Sequence, residues 1–250
     1  MPEIEWKSIQ PPADLSDFVE SFWMLTNSSD TAHEIVVLPD GRFDIIFSYS
    51  DSELFHATLR GLDTGPDSAD IPARTVMFAV SFKLLAIEYL LQIKAADVLN
   101  GGYQLPEDFW EIIKEDLDHF ETFCEKLSVK MRTLIVPGMD TRKQNLFALI
   151  YDTHGAATIK ELSEKVFWSS RQINRYFNQQ FGISLKAYCN IIRFRTALYQ
   201  IKEGRLFPDE DFADQNHFIR EVKKFSGVVP KELFKNQNDR FILFSTLPGK

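Results

Sequence analysis

Residues 169–182, SSRQINRYFNQQFG, decide the fold of the carboxy-terminal half. Ser169 suits a helix N-cap and Gln172 follows three positions later, the spacing at which cap and third helical residue satisfy each other's backbone N–H groups. Ile173, Phe177 and Phe181 then recur at i, i+4 and i+8, an apolar stripe that a helix must bury. The opposite face carries Arg171, Asn174, Arg175 and Asn178, and Gly182 stands where a left-handed residue ends a helix. Those side chains suit base edges: Arg matches the two acceptors of guanine, Asn the donor and acceptor of adenine, and an α-helix fits the major groove. An ordinary solvated helix face would carry similar residues, so the neighbouring sequence decides between the two.

Upstream, Thr158 and Glu161 form a second capping box that opens ATIKELSEKVFW, with Ile159, Leu162 and Val166 inward. Its cap lies eleven residues before Ser169. Two short capped helices joined by a turn around Phe167-Trp168 make a helix-turn-helix, whose second helix enters the major groove. Asn145 to Tyr151 reads as a preceding apolar helix ending near His154-Gly155. Ser184 caps a longer one, SLKAYCNIIRFRTALYQIKEG, with Tyr188, Ile191, Ile192, Ala197 and Leu198 available for packing.

A second round follows. Asp214 caps QNHFIREVKKFSG, Phe218, Val222 and Phe225 repeat the stripe, Gly227 stops it and Pro230 opens PKELF. Arg175 and Arg220 fall at matching places 45 residues apart. The copy is defective: only GRLFPDEDFA separates it from the long helix, with Pro208 and the acids Asp209, Glu210 and Asp211. The supporting helix of this second unit is therefore expected to be shortened or replaced, and the acids disfavour nearby phosphate.

Charge divides the same way. Residues 1–139 carry 10 Lys and Arg against 24 Asp and Glu, a net of −14, whereas residues 140–250 carry 18 against 12, a net of +6. The overall −8 thus conceals a basic half suited to phosphates. From Phe18 to Phe82 the acidic half reads as short strands: DFVESFWMLT, EIVVLP, RFDIIFSYS, LFHATLRG and ARTVMFAVSF. Pro39-Asp40-Gly41 has turn chemistry, which predicts a hairpin of EIVVL with FDIIF; GLDTGPDSADIP reads as loop. Beyond Phe82, KLLAIEYLLQIKAADVLN and the segment from Leu105 to Ile135 read as helical, with Trp110, Ile113, Leu117, Phe120 and Leu127 buried. Pro137-Gly138-Met139-Asp140 is the expected domain boundary.

Catalytic and metal chemistry finds no support. His33, His56, His119, His154 and His217 form no HxH or HExxH pair, and neither a G-x-S-x-G, a P-loop nor a dinucleotide fingerprint is present. Cys124 and Cys189 are far apart, form no CxxC and lack basic neighbours placed to activate a thiol, so both read as structural. No apolar run long enough for a membrane span and no secretion signal is found, which together predict a cytoplasmic protein without membrane partners.

Residues 140–235 resemble the DNA-binding domain of AraC-family transcriptional regulators, through ELSEKVFWSSRQINRYFNQQFGISLKAY, IIRFRTAL and DQNHFIREVKKFSGVVPKEL. PPADLSDFVESFW, VLPDGRFDIIF and FAVSFK look like the uncharacterised sensor-like domain that accompanies a subset of these regulators. The resemblance implies an α+β chain: a mainly-β, barrel- or sandwich-like sensor domain with helices over 1–136, then an all-α double helix-turn-helix domain over 137–250, with units near 158–182 and 205–235. It carries base reading to Arg171, Asn174 and Arg175, and in the second unit to Gln215, Asn216 and Arg220, with Lys223 and Lys224 on phosphates. The partner implied is double-stranded DNA, with a small-molecule effector and a homodimer as further expectations. No cofactor, metal or catalytic residue is expected. The rival is a ligand-binding or enzymatic β-barrel whose helical appendage no longer binds DNA.

Overall fold

The computed structural model describes residues 4–206, 212 and 214–246. The chain is α+β, an antiparallel sheet followed by helices, and divides into two compact units. Unit 1 holds residues up to His33, Arg42–Gly61 and Asp70–Gln144; unit 2 holds Glu34–Gly41, Leu62–Ala69 and the chain from Asn145.

Unit 1 is built on an antiparallel sheet of six strands, β1 (Ile4–Ile9), β2 (Val19–Asn27), β4 (Phe43–Tyr49), β5 (His56–Arg60), β7 (Val76–Phe82) and β8 (Gly102–Gln104), in the order β1-β2-β7-β4-β5-β8. Side chains directly opposite in the register share a face. Phe22, Val80, Ile45 and Leu59 therefore line one face together, and Phe78 and Phe47 continue it. Onto that face α1 (Phe120–Leu134) brings Phe120 and Phe123, whose rings meet Phe78 and Phe47 edge-on at 5.2–5.6 Å. The other face is more polar. There Trp6 stacks on Trp23 at 5.1 Å, and the Trp23 indole N–H points at Asp44 Oδ1 and Ser81 Oγ, each 3.2 Å away.

Several expectations for this half need correction. The EIVVL–FDIIF hairpin does not form: β4 pairs with β5 and β7, while β3 (His33–Val37) pairs with β6 (Asp67–Ile71) in a separate two-stranded sheet. Gly41 does take the positive φ, +75°, that the turn chemistry implied. Leu38, Pro39 and Gly41 are buried, however, whereas a hairpin tip would face solvent. Strand β6 lies inside the stretch read as loop, and β1 and β8 were not foreseen. The expected helix after Phe82 breaks into a π-type turn, Ile87–Leu91, and a 3-10 turn, Ala95–Val98. Leu84, Leu85, Ala86, Ile87 and Leu90 are all buried, so the segment sinks every side rather than one stripe. Further on, Trp110 takes φ of 55°, which shifts the phase: Ile112 is buried and Ile113, expected inside, is 55% exposed.

Unit 2 contains α3 (Ile159–Lys165), α4 (Ser170–Phe181), α5 (Leu185–Lys202), α6 (Gln215–Ser226), α7 (Pro230–Lys235) and α8 (Ile242–Thr246). Helix α2 (Thr141–Asp152) straddles the change of unit. The expected boundary at Pro137–Asp140 falls inside unit 1, where Tyr89 holds it: the Val136 N–H donates to the Tyr89 carbonyl at 2.8 Å and the Asp140 N–H to its hydroxyl at 3.1 Å. Unit 2 also takes in two stretches of the amino-terminal half. Val36 bridges Phe241 in parallel, its N–H 2.6 Å from the Arg240 carbonyl. No helix among the described residues is long and apolar enough to cross a membrane.

Candidate nucleic-acid interface

Helix α4 follows from its caps. The Ser169 hydroxyl accepts the Gln172 N–H at 3.3 Å and the Gln172 side chain accepts the Ser169 N–H at 3.2 Å, while Gly182 ends the helix at φ of 72°. Thr158 and Glu161 make the same reciprocal pair for α3. In the connection Phe167 sits at φ of 53°, and the Trp168 N–H reaches back to the Ser163 carbonyl at 3.2 Å, the long bond of a Schellman ending in which glycine usually stands.

One face of α4 is fixed in the core. Ile173, Phe177 and Phe181 are fully buried, and Phe147 of α2 meets Phe177 at 5.7 Å and Phe181 at 5.9 Å. The opposite face is open. Arg171, Arg175 and Asn178 are exposed, and neither arginine has a polar partner among the described residues. Asn174 is half-buried, and its amide donates to the Ser170 carbonyl of its own helix at 3.0 Å. The amide's second N–H and its oxygen remain available for a two-bond contact to adenine.

The corresponding helix of the second unit is α6. The Asp214 carboxylate accepts the His217 N–H at 2.8 Å, a one-way cap without the return bond seen at Ser169, and Gly227 ends the helix at φ of 77°. Phe218, Val222 and Phe225 are buried. Gln215, Asn216, Arg220, Lys223 and Lys224 are exposed on the same helix. Both α4 and α6 pack on α5: Tyr188 meets Phe177 of α4 at 5.7 Å, and Phe194 meets Phe225 of α6 at 5.2 Å. The Pro208–Asp211 stretch, on which the expected defect of the second unit turns, lies outside the described residues.

A group of cations was missed in the sequence. Lys231, Lys235 and Arg240 line a groove of about 340 Å³ beside α7, with Glu232 3.1 Å from the Arg240 guanidinium. Lys231 and Lys235 lie one turn apart on PKELFK, a spacing readable in advance, but Arg240 joins them only through the turn after the helix.

In unit 1 an open cavity of about 480 Å³ is lined by Tyr49, Leu54, Phe55, Ile112, Ile113 and Lys114 among others, with the Lys114 ammonium 4.4 Å from the centre of the Tyr49 ring. Burial, followed by the charge of Asp118, raises the Tyr49 hydroxyl pKa. Burial also pushes the Cys124 thiol up to about 12 and the Cys189 thiol up to about 11, so neither is a thiolate nucleophile at neutral pH. Among the described residues no three His, Cys, Asp or Glu side chains gather as a metal site.

A family described as a domain of unknown function, DUF6597, matches residues 7–103. No curated protein matches significantly. ToxT from Vibrio cholerae O395 is similar in structure, at 11% identity over 95% of this chain and 100% of that one, with a TM-score of 0.43. An apo ToxT variant from Vibrio cholerae strain SCE256 is similar at 10% identity over 90% and 99%, with a TM-score of 0.44. ToxT from strain O395 bound to (E)-4-(8-methylnaphthalen-1-yl)but-3-enoic acid is similar at 11% identity over 92% and 97%, with a TM-score of 0.40.

Proposed function

We propose that the chain is a sequence-specific DNA-binding transcription regulator of the kind its resemblance to AraC-family regulators implies. Arg171, Asn174 and Arg175 of α4 read bases, Gln215, Asn216 and Arg220 of α6 read a neighbouring segment, and Lys223 and Lys224 contact phosphates. The observation that carries this reading is the two-sided character of α4: a fully buried aromatic stripe fixes the helix, and the face turned away from it offers two arginines with no competing partner. An exposed guanidinium on a rigid helix keeps its fork free for the two acceptors of guanine. Lys231, Lys235 and Arg240 add cations for the backbone, which position a protein without specifying sequence. Double-stranded DNA is the partner, a homodimer working in the cytoplasm is the proposed form, and no chemical step is assigned.

Control by a small-molecule effector belongs to the same proposal. Its support is the polar sheet face around Trp6, Trp23, Asp44 and Ser81 and the cavity beside Tyr49 and Lys114. Selection of bound duplexes from a random DNA pool with the full chain tests the regulator reading. One enriched motif that persists as salt rises supports it; pools without enrichment at any salt overturn it and favour the rival barrel reading.

A further inference from the structure

The chain passes from unit 2 to unit 1 at the Gly41–Arg42 bond, and each of these neighbours is anchored within its own unit. In unit 2 the Gly41 carbonyl accepts the Tyr188 hydroxyl at 3.1 Å. The Tyr151 and Tyr188 hydroxyls are 3.0 Å apart. Because Tyr188 uses its one proton on Gly41, Tyr151 donates to Tyr188. A Cβ on Gly41 would stand 2.7 Å from Ile192 Cδ1 and 3.1 Å from Tyr188 Cε2, so the backbone lies directly on α5. In unit 1 the Arg42 side chain is buried, with Nη2 2.9 Å from the Glu20 carboxylate of β2 and the Lys83 ammonium 4.0 Å from the same oxygen.

Tyr188 also faces the reading helix. Its ring lies 5.7 Å from that of Phe177, in the buried stripe of α4 opposite Arg171, Asn174 and Arg175. We infer that Tyr188 is a positioning residue: its hydroxyl ties Gly41, and through the next peptide Arg42 and Glu20, to the seat of α4. The inference rests on α4 as the DNA-reading helix and adds how a change in the sheet reaches it. Arg42 is buried and Glu20 part-buried, 3% and 23% exposed, so moving the carboxylate off the guanidinium is opposed by the cost of a charge in the interior. An effector that favours one state of the Glu20–Arg42 pair then acts by differential affinity. Close packing around a fully buried Tyr188 carries the difference onward rather than absorbing it.

A double-mutant cycle on the full chain tests this, with Glu20→Gln, Tyr188→Phe and both together. Two readouts are taken: hydrogen exchange of α4 amides without DNA, and affinity for the selected duplex. Glu20→Gln is expected to change α4 exchange and to shift DNA affinity about 2- to 30-fold when the Tyr188 hydroxyl is present, and to leave both unchanged in the Tyr188→Phe background. An equal effect in both backgrounds, or none on α4 in either, overturns the inference. Coupled exchange in a chain with no specific DNA affinity keeps the coupling and rejects the DNA reading instead. If Glu20→Gln fails to fold, Arg42→Lys runs the same cycle, keeping the charge while losing the guanidinium contact.

Discussion

At the scale of single residues, backbone conformation and unused hydrogen-bonding capacity separate architecture from reading. Phe167 is 91% exposed and left-handed, a conformation that costs an L-residue about 1–2 kcal/mol. Phe167→Gly should therefore stabilise the chain by about 0.5–1 kcal/mol after the added freedom of the unfolded chain, read as a higher denaturant midpoint. No gain would mean that the exposed ring has a compensating contact. Gly41→Ala should destabilise, since the new methyl meets Ile192 at 2.7 Å and φ is +75°. Equilibrium unfolding checks this, and a neutral result would mean that the turn is loose on α5. Among the proposed base readers, Asn174→Ala should cost less DNA affinity than Arg175→Ala, because Asn174 is neutral and half-buried whereas Arg175 offers an exposed, charged fork with no polar partner among the described residues. The roles of Cys124 and Ile173 were readable because residue type and period sufficed. Ile113 was misplaced because the left-handed Trp110, invisible in a periodicity, turned the phase by one residue.

At the scale of elements, local signals that agree with one another were legible and pairings between distant segments were not. The α3–α4 pair could be read because cap, stripe and terminal glycine are all written within about 25 residues. Strand partners depend on segments far apart in sequence: β3 goes to β6, and β4 to β7, whose paired residues are 27 to 39 positions apart. The α3 cap has a pH signature. Bonds from the Thr158 N–H, then its hydroxyl, hold the Glu161 carboxyl below the usual carboxylate range. A depressed carboxylate stabilises the fold above its unfolded pKa, and that contribution is lost as pH falls through the lower folded value. Exchange at the start of α3 should accelerate on acidification across that interval beyond its intrinsic rate, with Glu161→Gln flat; equal responses from both would remove the carboxylate from the cap. Ser169→Ala should cost about 1 kcal/mol of stability through the lost cap of α4, measured by denaturant unfolding.

At the scale of the whole molecule, the acidic and basic halves of the sequence interleave: two connections from the acidic half are built into the basic unit. A cut at the Pro137–Asp140 break would leave behind residues 34–41, which contact α5 and the segment around Phe241. Sequence composition located the charge difference well but could not reveal this interleaving, because Gly41 packs on α5, about 150 residues further on. The central claim is that the open face of α4 reads bases. Equilibrium binding of wild type and Arg175→Ala to the selected duplex and to a scrambled one tests it most directly. The account predicts a loss of about 1–3 kcal/mol, roughly 5- to 150-fold, on the selected duplex and almost none on the scrambled one; unchanged affinity on the selected duplex, or an equal loss on both, would contradict it.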